Sequence, residues 1–543
     1  MRRLLVRGAT RAMACVLAGE HRAFANALRT PRTAQDAALR RIVDGLADTD
    51  YGRAHGVRPG DGYDAFRDKL PVVSYDDLAP WVERQAREEG SVLVPGPVRV
   101  YEKTSGSSGP AKHVPYTTPL RRAFDRMFRL WLADLLADGP YLSTGRAWIS
   151  ISPRLDAPER TARGVPVGLS SDLDYLEGGW RWLLRRFLVL PPTVAQMRDP
   201  EALKRILAGH LVAGRPEIVS VWSPSFLTVL LDWITGHREA VLSDWRTGAI
   251  RVEGSVFPLE RVVPAIARAL ERDPIDWRQV LPDLRLVSCW TDGPAAPAAA
   301  HLRQRLPWVI FQPKGLLATE APITVPLAGP GVCVPLVHDV FVELADLSGA
   351  IHRVDEAEPG AEYSVIVTPP GGFARYRLGD RVRAGQSIGA TRALTFVGRD
   401  DDVSDMVGEK LAERFVRGAL AGLPLVADSF RVLVPLREPD GRGRYLLVVD
   451  RAPAGQDDVP VRLDALLQQA HRYREARRLG QLAPPAVAVL SHAEDRLLDV
   501  LASRGIRRGA IKPSCLVGDP EVSQDLLDSR WNGREVPVRE SAR

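Results

Sequence analysis

Four short apolar runs constrain this chain more than any other feature. They are Ala147-Trp148-Ile149-Ser150-Ile151, Ile218-Val219-Ser220-Val221-Trp222, Leu284-Arg285-Leu286-Val287-Ser288 and Trp308-Val309-Ile310-Phe311. Runs this short and this apolar read as strands buried on both faces, the pattern of a parallel sheet. A helical stretch follows each one. Strands alternating with helices predict an α/β fold with mostly parallel sheets. Around this core, residues 1 to about 50 read as helix, with Phe24, Ala27 and Leu28, then Ala38, Leu39 and Ile42, at helical spacing. Residues 119–137 predict a helix with Phe124, Phe128, Trp131, Leu132 and Leu135 on one face and an N-cap at Thr117 or Thr118. Val98-Arg99-Val100 is a short strand candidate, and Ala295 to Ala300 reads as helix.

The pattern changes twice. Residues 340–400 carry many short strands between Gly/Pro turns, including Tyr363-Ser364-Val365-Ile366-Val367. Beyond about residue 400 the expected order is helix 409–421, strands 430–435 and 444–450, helix 461–478, strand 486–490 and helix 492–504. At 543 residues the chain exceeds one typical domain. The expected division is a large N-terminal domain over 1–398, with a β-rich subdomain at about 335–398, and a small mobile α+β domain over 399–543. The hinge is expected near 399–402.

The formal net charge is +6, but basic and acidic residues alternate along the chain without a long basic tract. That argues against a nucleic-acid partner. No stretch of about 18 apolar residues suggests a membrane span, and Arg7 and Arg11 interrupt the N-terminal apolar stretch that a signal peptide needs. Cys15, Cys289, Cys333 and Cys515 lie far apart, which argues against a disulfide framework or a zinc site and fits a cytoplasmic location. Lysine usage is more telling. Only seven of the 73 basic residues are lysine, and five of those, Lys103, Lys112, Lys314, Lys410 and Lys512, fall in or beside the motifs below. A compact ammonium on a flexible stem suits a single phosphate or carboxylate oxygen.

The first motif is Thr104-Ser105-Gly106-Ser107-Ser108-Gly109-Pro110-Ala111-Lys112. Small hydroxyl residues, exposed backbone N–H groups and a lysine suit phosphate oxygens, although the spacing is not the Walker pattern. In Lys314-Gly315-Leu316-Leu317-Ala318-Thr319-Glu320, a hydroxyl beside a carboxylate follows a strand, where Mg²⁺ can be held near a phosphate. Tyr376-Arg377-Leu378-Gly379-Asp380 places a carboxylate in a turn, where it can accept both ribose hydroxyls. Gly398-Arg399-Asp400-Asp401-Asp402 coincides with the second change of pattern, and Arg507-Arg508-Gly509-Ala510-Ile511-Lys512-Pro513 presents an isolated lysine beside a fixed proline. Each also has an ordinary reading: a small-residue surface loop, a loop acid, a β-turn aspartate, a solvated joint, a surface lysine.

Order and spacing favour the chemical readings. The loop at 104–112 resembles the phosphate loop of the adenylating superfamily of acyl-CoA synthetases, luciferases and peptide-synthetase adenylation domains. Ala318-Thr319-Glu320, Tyr376-Arg377-Leu378-Gly379-Asp380 and Gly398-Arg399-Asp400-Asp401-Asp402 resemble its later motifs. Finer features resemble one branch, the auxin-responsive-promoter family of acyl acid amido synthetases. Tyr51-Gly52-Arg53-Ala54-His55-Gly56, Asp61-Gly62-Tyr63-Asp64-Ala65-Phe66, Leu70-Pro71-Val72 and Tyr75 are similar to its opening. Trp222-Ser223-Pro224-Ser225-Phe226, Ser288-Cys289-Trp290-Thr291-Asp292-Gly293 and Lys314-Gly315-Leu316-Leu317-Ala318-Thr319-Glu320 are similar to its bacterial members. Phe341-Val342-Glu343-Leu344 departs from the more aromatic segment of the plant members.

The resemblance implies a ligase that uses ATP and Mg²⁺ to activate a carboxylic acid as acyl-AMP, then passes the acyl group to an amine, typically an amino acid. It assigns phosphate binding to Thr104, Ser105, Gly106, Ser107, Ser108, Gly109 and Lys112, and Mg²⁺ binding to Glu320 beside Thr319. Asp380 is assigned the ribose, Arg399 the nucleotide, Asp401 the hinge and Lys512 assistance of adenylation; Lys112, Glu320 and Lys512 form the catalytic set. A monomer or weak oligomer is expected. An acyl-CoA ligase shares the first half-reaction, and a nucleotide-binding regulatory protein that has lost catalysis is a reading of another class.

Overall fold

The structure, a computed structural model, describes residues 2–104, 112–150, 159–168, 185–197, 199–399, 403–426, 429–453, 458–504 and 514–528. At its centre the four apolar runs form one sheet. Strands Ala147–Ile149, Ile218–Ser220, Leu286–Cys289 and Ile310–Pro313 lie side by side in that order, and every pairing is parallel. Helices Pro200–Gly214, Pro224–Gly236 and Arg238–Thr247 pack on it around one apolar cluster. The helix Pro200–Gly214 is apolar nearly all round, which suits its burial. Asp199 caps it by accepting the N–H of Ala202 at 2.9 Å.

A second sheet is an antiparallel five-stranded one, ordered Ile351–Arg353, Phe341–Ala345, Glu362–Thr368, Tyr376–Ile388, Thr391–Arg399. The N-terminal helices Arg2–Ala27 and Pro31–Ala47 cover it and share its core. Buried Gln35 pins that packing: its amide donates to the carbonyls of Val337 and Val340 and accepts the N–H of Val342.

The helix Thr118–Asp138 starts on Thr117, whose hydroxyl accepts the N–H of Leu120 at 3.4 Å. Its buried face differs from the expected one. Leu120, Ala123, Phe124, Met127, Leu130 and Asp134 are buried, whereas Phe128, Trp131 and Leu132 are only half-buried. The helix lies between the N-terminal helix and the strand Thr324–Leu327, so its covered face is set by two partners far apart in sequence.

The C-terminal residues form a three-stranded sheet, Arg431–Arg437 and Gly443–Val449 antiparallel, with Ala486–Val489 parallel to the second. Alternate residues feed two separate apolar clusters: Leu433, Leu447, Val449 and Val487 on one face, Val432, Val434, Leu446 and Val448 on the other. Two expected helices are altered. The first begins at Glu413, because Gly408 and Lys410 both take positive φ and Leu411–Ala412 pairs with Val403–Ser404 instead. The expected helix 461–478 is two, Val459–Leu467 and His471–Arg478. The second folds back so that Arg477 grips Asp464 through Nε at 2.9 Å and Tyr473 donates to the same carboxylate at 3.0 Å.

Candidate active site

In open parallel sheets ligands bind beyond the carboxyl ends of the strands. Here those ends present Ser220-Val221-Trp222, Cys289-Trp290 and Pro313-Lys314. Lys314 Nζ donates to Ser220 Oγ at 2.7 Å and stands 4.8 Å over the Trp222 ring. Trp222 and Trp290 lie 5.9 Å apart, tilted at 47°. Two contacts bring later parts of the chain to this edge. Gln481 Nε2 donates to Ser225 Oγ at 3.1 Å. Gly408 approaches Trp290 so closely that a Cβ there would sit 3.3 Å from the indole.

From Lys314 the backbone turns sharply toward Glu320. Gly315 has φ +66°, and a Cβ there would fall 2.2 Å from Thr324 Oγ1, so only glycine fits. Thr324 Oγ1 accepts the N–H of Leu316 at 2.8 Å and fixes the turn. Two tyrosines from distant segments then hold its end. Tyr116 Oη donates to the carbonyl of Thr319 at 2.6 Å, and Tyr376 Oη donates to Glu320 Oε1 at 3.2 Å. Glu320 is buried, and among the described residues no basic side chain pairs with it. Burial, reinforced by the Glu320 charge, raises the Tyr376 phenol far above its ordinary range, so it remains a donor.

Tyr376 opens the strand that carries Asp380. Asp380 lies directly opposite Arg399 on the neighbouring strand, and Arg399 Nη1 donates to Asp380 Oδ1 at 2.6 Å. Arg399 Nη2 also reaches the carbonyl of Leu378 at 3.3 Å. Gly379, with φ +79°, makes the irregular backbone between them.

Thr104 and Lys112 close the base of the loop 105–111 as a register pair. Lys112 Nζ sits 5.3 Å over the Tyr75 ring, and Tyr75 Oη accepts the N–H of His113 at 2.7 Å. Phe373 joins this group to the rest, with its ring 6.3 Å from Tyr75 and 5.2 Å from Tyr376. Aromatic side chains therefore link Lys112 to Thr319 and Glu320, and the strand that begins at Tyr376 brings Asp380 with its partner Arg399 to the same group. Ser105, Gly106, Ser107, Ser108, Gly109, Asp401 and Lys512 lie outside the described residues, and Thr104 is placed by its backbone alone. Tyr75, Tyr116 and Tyr376, which the sequence reading did not assign roles, do the positioning. Tyr376 stands inside a recognised motif and Tyr75 in the family-like opening; no recognised motif marks Tyr116.

The chain as a whole has the fold of solved acyl acid amido synthetases. The solved structure of AtGH3.15 acyl acid amido synthetase in complex with 2,4-DB aligns with a TM-score of 0.63 and 18% identity, over 96% of each chain. The GH3 family N-terminal domain matches residues 20–307 and the GH3 family central domain matches residues 336–399. The chain belongs to the GH3 family, the branch its motifs resemble. Among relatives, the probable indole-3-acetic acid-amido synthetase GH3.4 of Oryza sativa subsp. japonica is 26% identical, over 96% of this chain and 92% of that protein. The jasmonoyl–L-amino acid synthetase JAR6 of Nicotiana attenuata is 23% identical, over 74% of this chain and 75% of that one. Among the described residues, no helix is long and apolar enough to cross a membrane.

Proposed function

We propose that this protein is an ATP-dependent acyl acid amido synthetase whose acceptor is an amino acid. The observation that carries the reading is the clustering of a phosphate-type loop base, a buried acid and an Asp–Arg pair from four distant segments, in a chain of the GH3 family. In the first half-reaction a carboxylate oxygen of the acid attacks the α-phosphorus of ATP, the bond to the β-phosphate bridge breaks, and pyrophosphate leaves. In the second the amine nitrogen attacks the acyl carbon, the bond to AMP breaks, and the nitrogen loses a proton.

The residues divide this work. Lys112 and the N–H groups of the loop at 104–109 offset the negative charge that gathers as carboxylate meets triphosphate. Asp380 takes the ribose hydroxyls, with Arg399 holding it in place and adding positive charge beside the nucleotide. Glu320, buried without a basic partner among the described residues, suits a hard cation. Bound Mg²⁺ would supply charge neutralisation for the departing pyrophosphate. Tyr376 and Tyr116 orient the Thr319-Glu320 corner. Lys512 is assigned to adenylation and Asp401 to a hinge between 1–398 and 399–543, both on the resemblance of their motifs; closure of the smaller unit would exclude water from the adenylate.

The test is acid-dependent pyrophosphate release across aryl, alkyl and indole acids, followed by mass spectrometry of products formed with mixed amino acids or with CoA. Amide formation is expected. Thioester without amide would replace this reading with an acyl-CoA ligase, and no acid-dependent release from any acid would favour a non-catalytic nucleotide-binding protein.

A further inference from the structure

We propose a second, structural cation site, formed by His21, Asp134 and Asp138 where the N-terminal helix meets the end of the helix Thr118–Asp138, and suited to a divalent transition ion such as Zn²⁺ or Mn²⁺. One ligand atom from each of the three side chains lies within 4.8 Å of the other two. His21 Nε2 and Asp134 Oδ1 are 3.7 Å apart. That is too long for a hydrogen bond. It is close to the roughly 3.3–3.6 Å that separates two ligands of one ion bound at about 2.0–2.2 Å in tetrahedral geometry.

The surroundings are built for this spacing. Asp134 is buried, and its Oδ2 accepts the N–H of Ala328 at 2.5 Å, which turns Oδ1 toward His21. An outer hydrogen bond of this kind is how metal-binding carboxylates are oriented. Asp138 follows one helical turn later, on the same face. The turn after Thr324–Leu327 closes over it, since a Cβ on Gly329 would stand 3.6 Å from Asp138 Cβ.

The two helices are held in register from the side. Glu20 takes Arg126 and Arg129, each at 3.2 Å; Arg126 also reaches Asp339 at 3.2 Å, and Arg129 reaches Asp125 at 3.1 Å. Those arginines are engaged next to the cluster rather than within it.

The charge balance also calls for a cation. Two carboxylates sit at the C-terminal end of a 21-residue helix, its negative pole, with no basic residue in the last turn. One imidazole nitrogen with two carboxylates suits zinc, manganese or iron better than calcium or magnesium.

The experiment uses the full chain stripped with a chelator, then titrated calorimetrically with Zn²⁺, Mn²⁺ and Mg²⁺ in turn, with thermal melts alongside. One equivalent of Zn²⁺ or Mn²⁺ is expected to bind and raise the melting midpoint. Binding should persist in Glu320→Ala and weaken at least about tenfold in His21→Gln and in Asp138→Asn, as loss of even an outer-shell partner does. Asp138 is exposed, so its variant should fold. Absence of saturable Zn²⁺ or Mn²⁺ binding would overturn the site, leaving an ordinary His21–Asp134 ion pair. So would stoichiometric binding unchanged in both variants. Neither result bears on the adenylation reading.

Discussion

Two arginine–carboxylate pairs at the five-stranded sheet differ in kind. Arg375 meets Glu343 in bidentate fashion, Nε to Oε2 at 3.0 Å and Nη2 to Oε1 at 2.9 Å, with the side chains only 5% and 1% exposed. Its remaining donors reach the carbonyls of Leu70 and Arg67, and Tyr63 Oη donates to Glu343 at 3.1 Å. Arg399 meets Asp380 with both side chains 17% exposed, at the rim of the cluster. The first pair joins the opening segment of the chain to the sheet. The second can be reached from solvent.

The difference shows how the site is braced. Arg375 precedes Tyr376, and Val73 bonds the backbone on both sides of that tyrosine, its N–H to Arg375 O at 3.0 Å and its carbonyl from Arg377 N at 2.8 Å. The stretch from Tyr63 to Val73, part of the family-like opening, is thus a strap along the strand that delivers Tyr376 to Glu320. A saturated buried pair holds position, whereas a pair at the rim can exchange partners with a ligand.

The comparison breaks most severely at the buried pair. Glu343→Ala leaves Arg375 buried without its counter-charge, and such a change costs about 3–5 kcal/mol. Denaturant or thermal unfolding should show the loss; an unchanged midpoint would mean that the pair does not brace the sheet. Glu320→Ala acts on the proposed chemistry. Pyrophosphate release should fall about a hundredfold, the scale of removing one preorganised electrostatic group, while the melting midpoint stays near that of the wild type. Near-normal release would remove Glu320 from the metal role. An effect of similar or smaller size is expected from Asp380→Ala, which should weaken ATP binding by roughly 1.5–3 kcal/mol, the range for a hydrogen bond to a charged group. An unchanged ATP dissociation constant would sink the ribose role. Together the three variants separate a pair that carries the fold from groups that carry the ligand.

Much of the architecture was legible in the sequence because its signals are local. The four apolar runs mark the four strands of the parallel sheet; Ile218–Ser220 and Leu286–Cys289 are buried throughout, whereas the outer strand Ile310–Pro313 leaves Ile310 exposed, because an edge strand has a neighbour on one side only. The alternation at 431–437 and 443–449 separates two cores by the pleat alone. Glycine at 315 is required by a positive φ and a crowded turn, so its motif marks a real corner of the backbone. The acids and lysines of the site are recognisable for a similar reason, because phosphate and metal chemistry restricts residue type and local spacing.

Other features were settled only by tertiary structure. The helix Thr118–Asp138 has apolar residues on more than one face, and its burial was decided by the N-terminal helix and the strand Thr324–Leu327, both remote in sequence. The break at Gln468–Ala470 exists because Arg477 returns to Asp464. Tyr116 meets Thr319 across 203 residues, and Arg375 meets Leu70 across 305. Sequence periodicity reports which face of an element is apolar. It carries no record of which distant donor will meet which carbonyl, because that follows from how the finished layers stack.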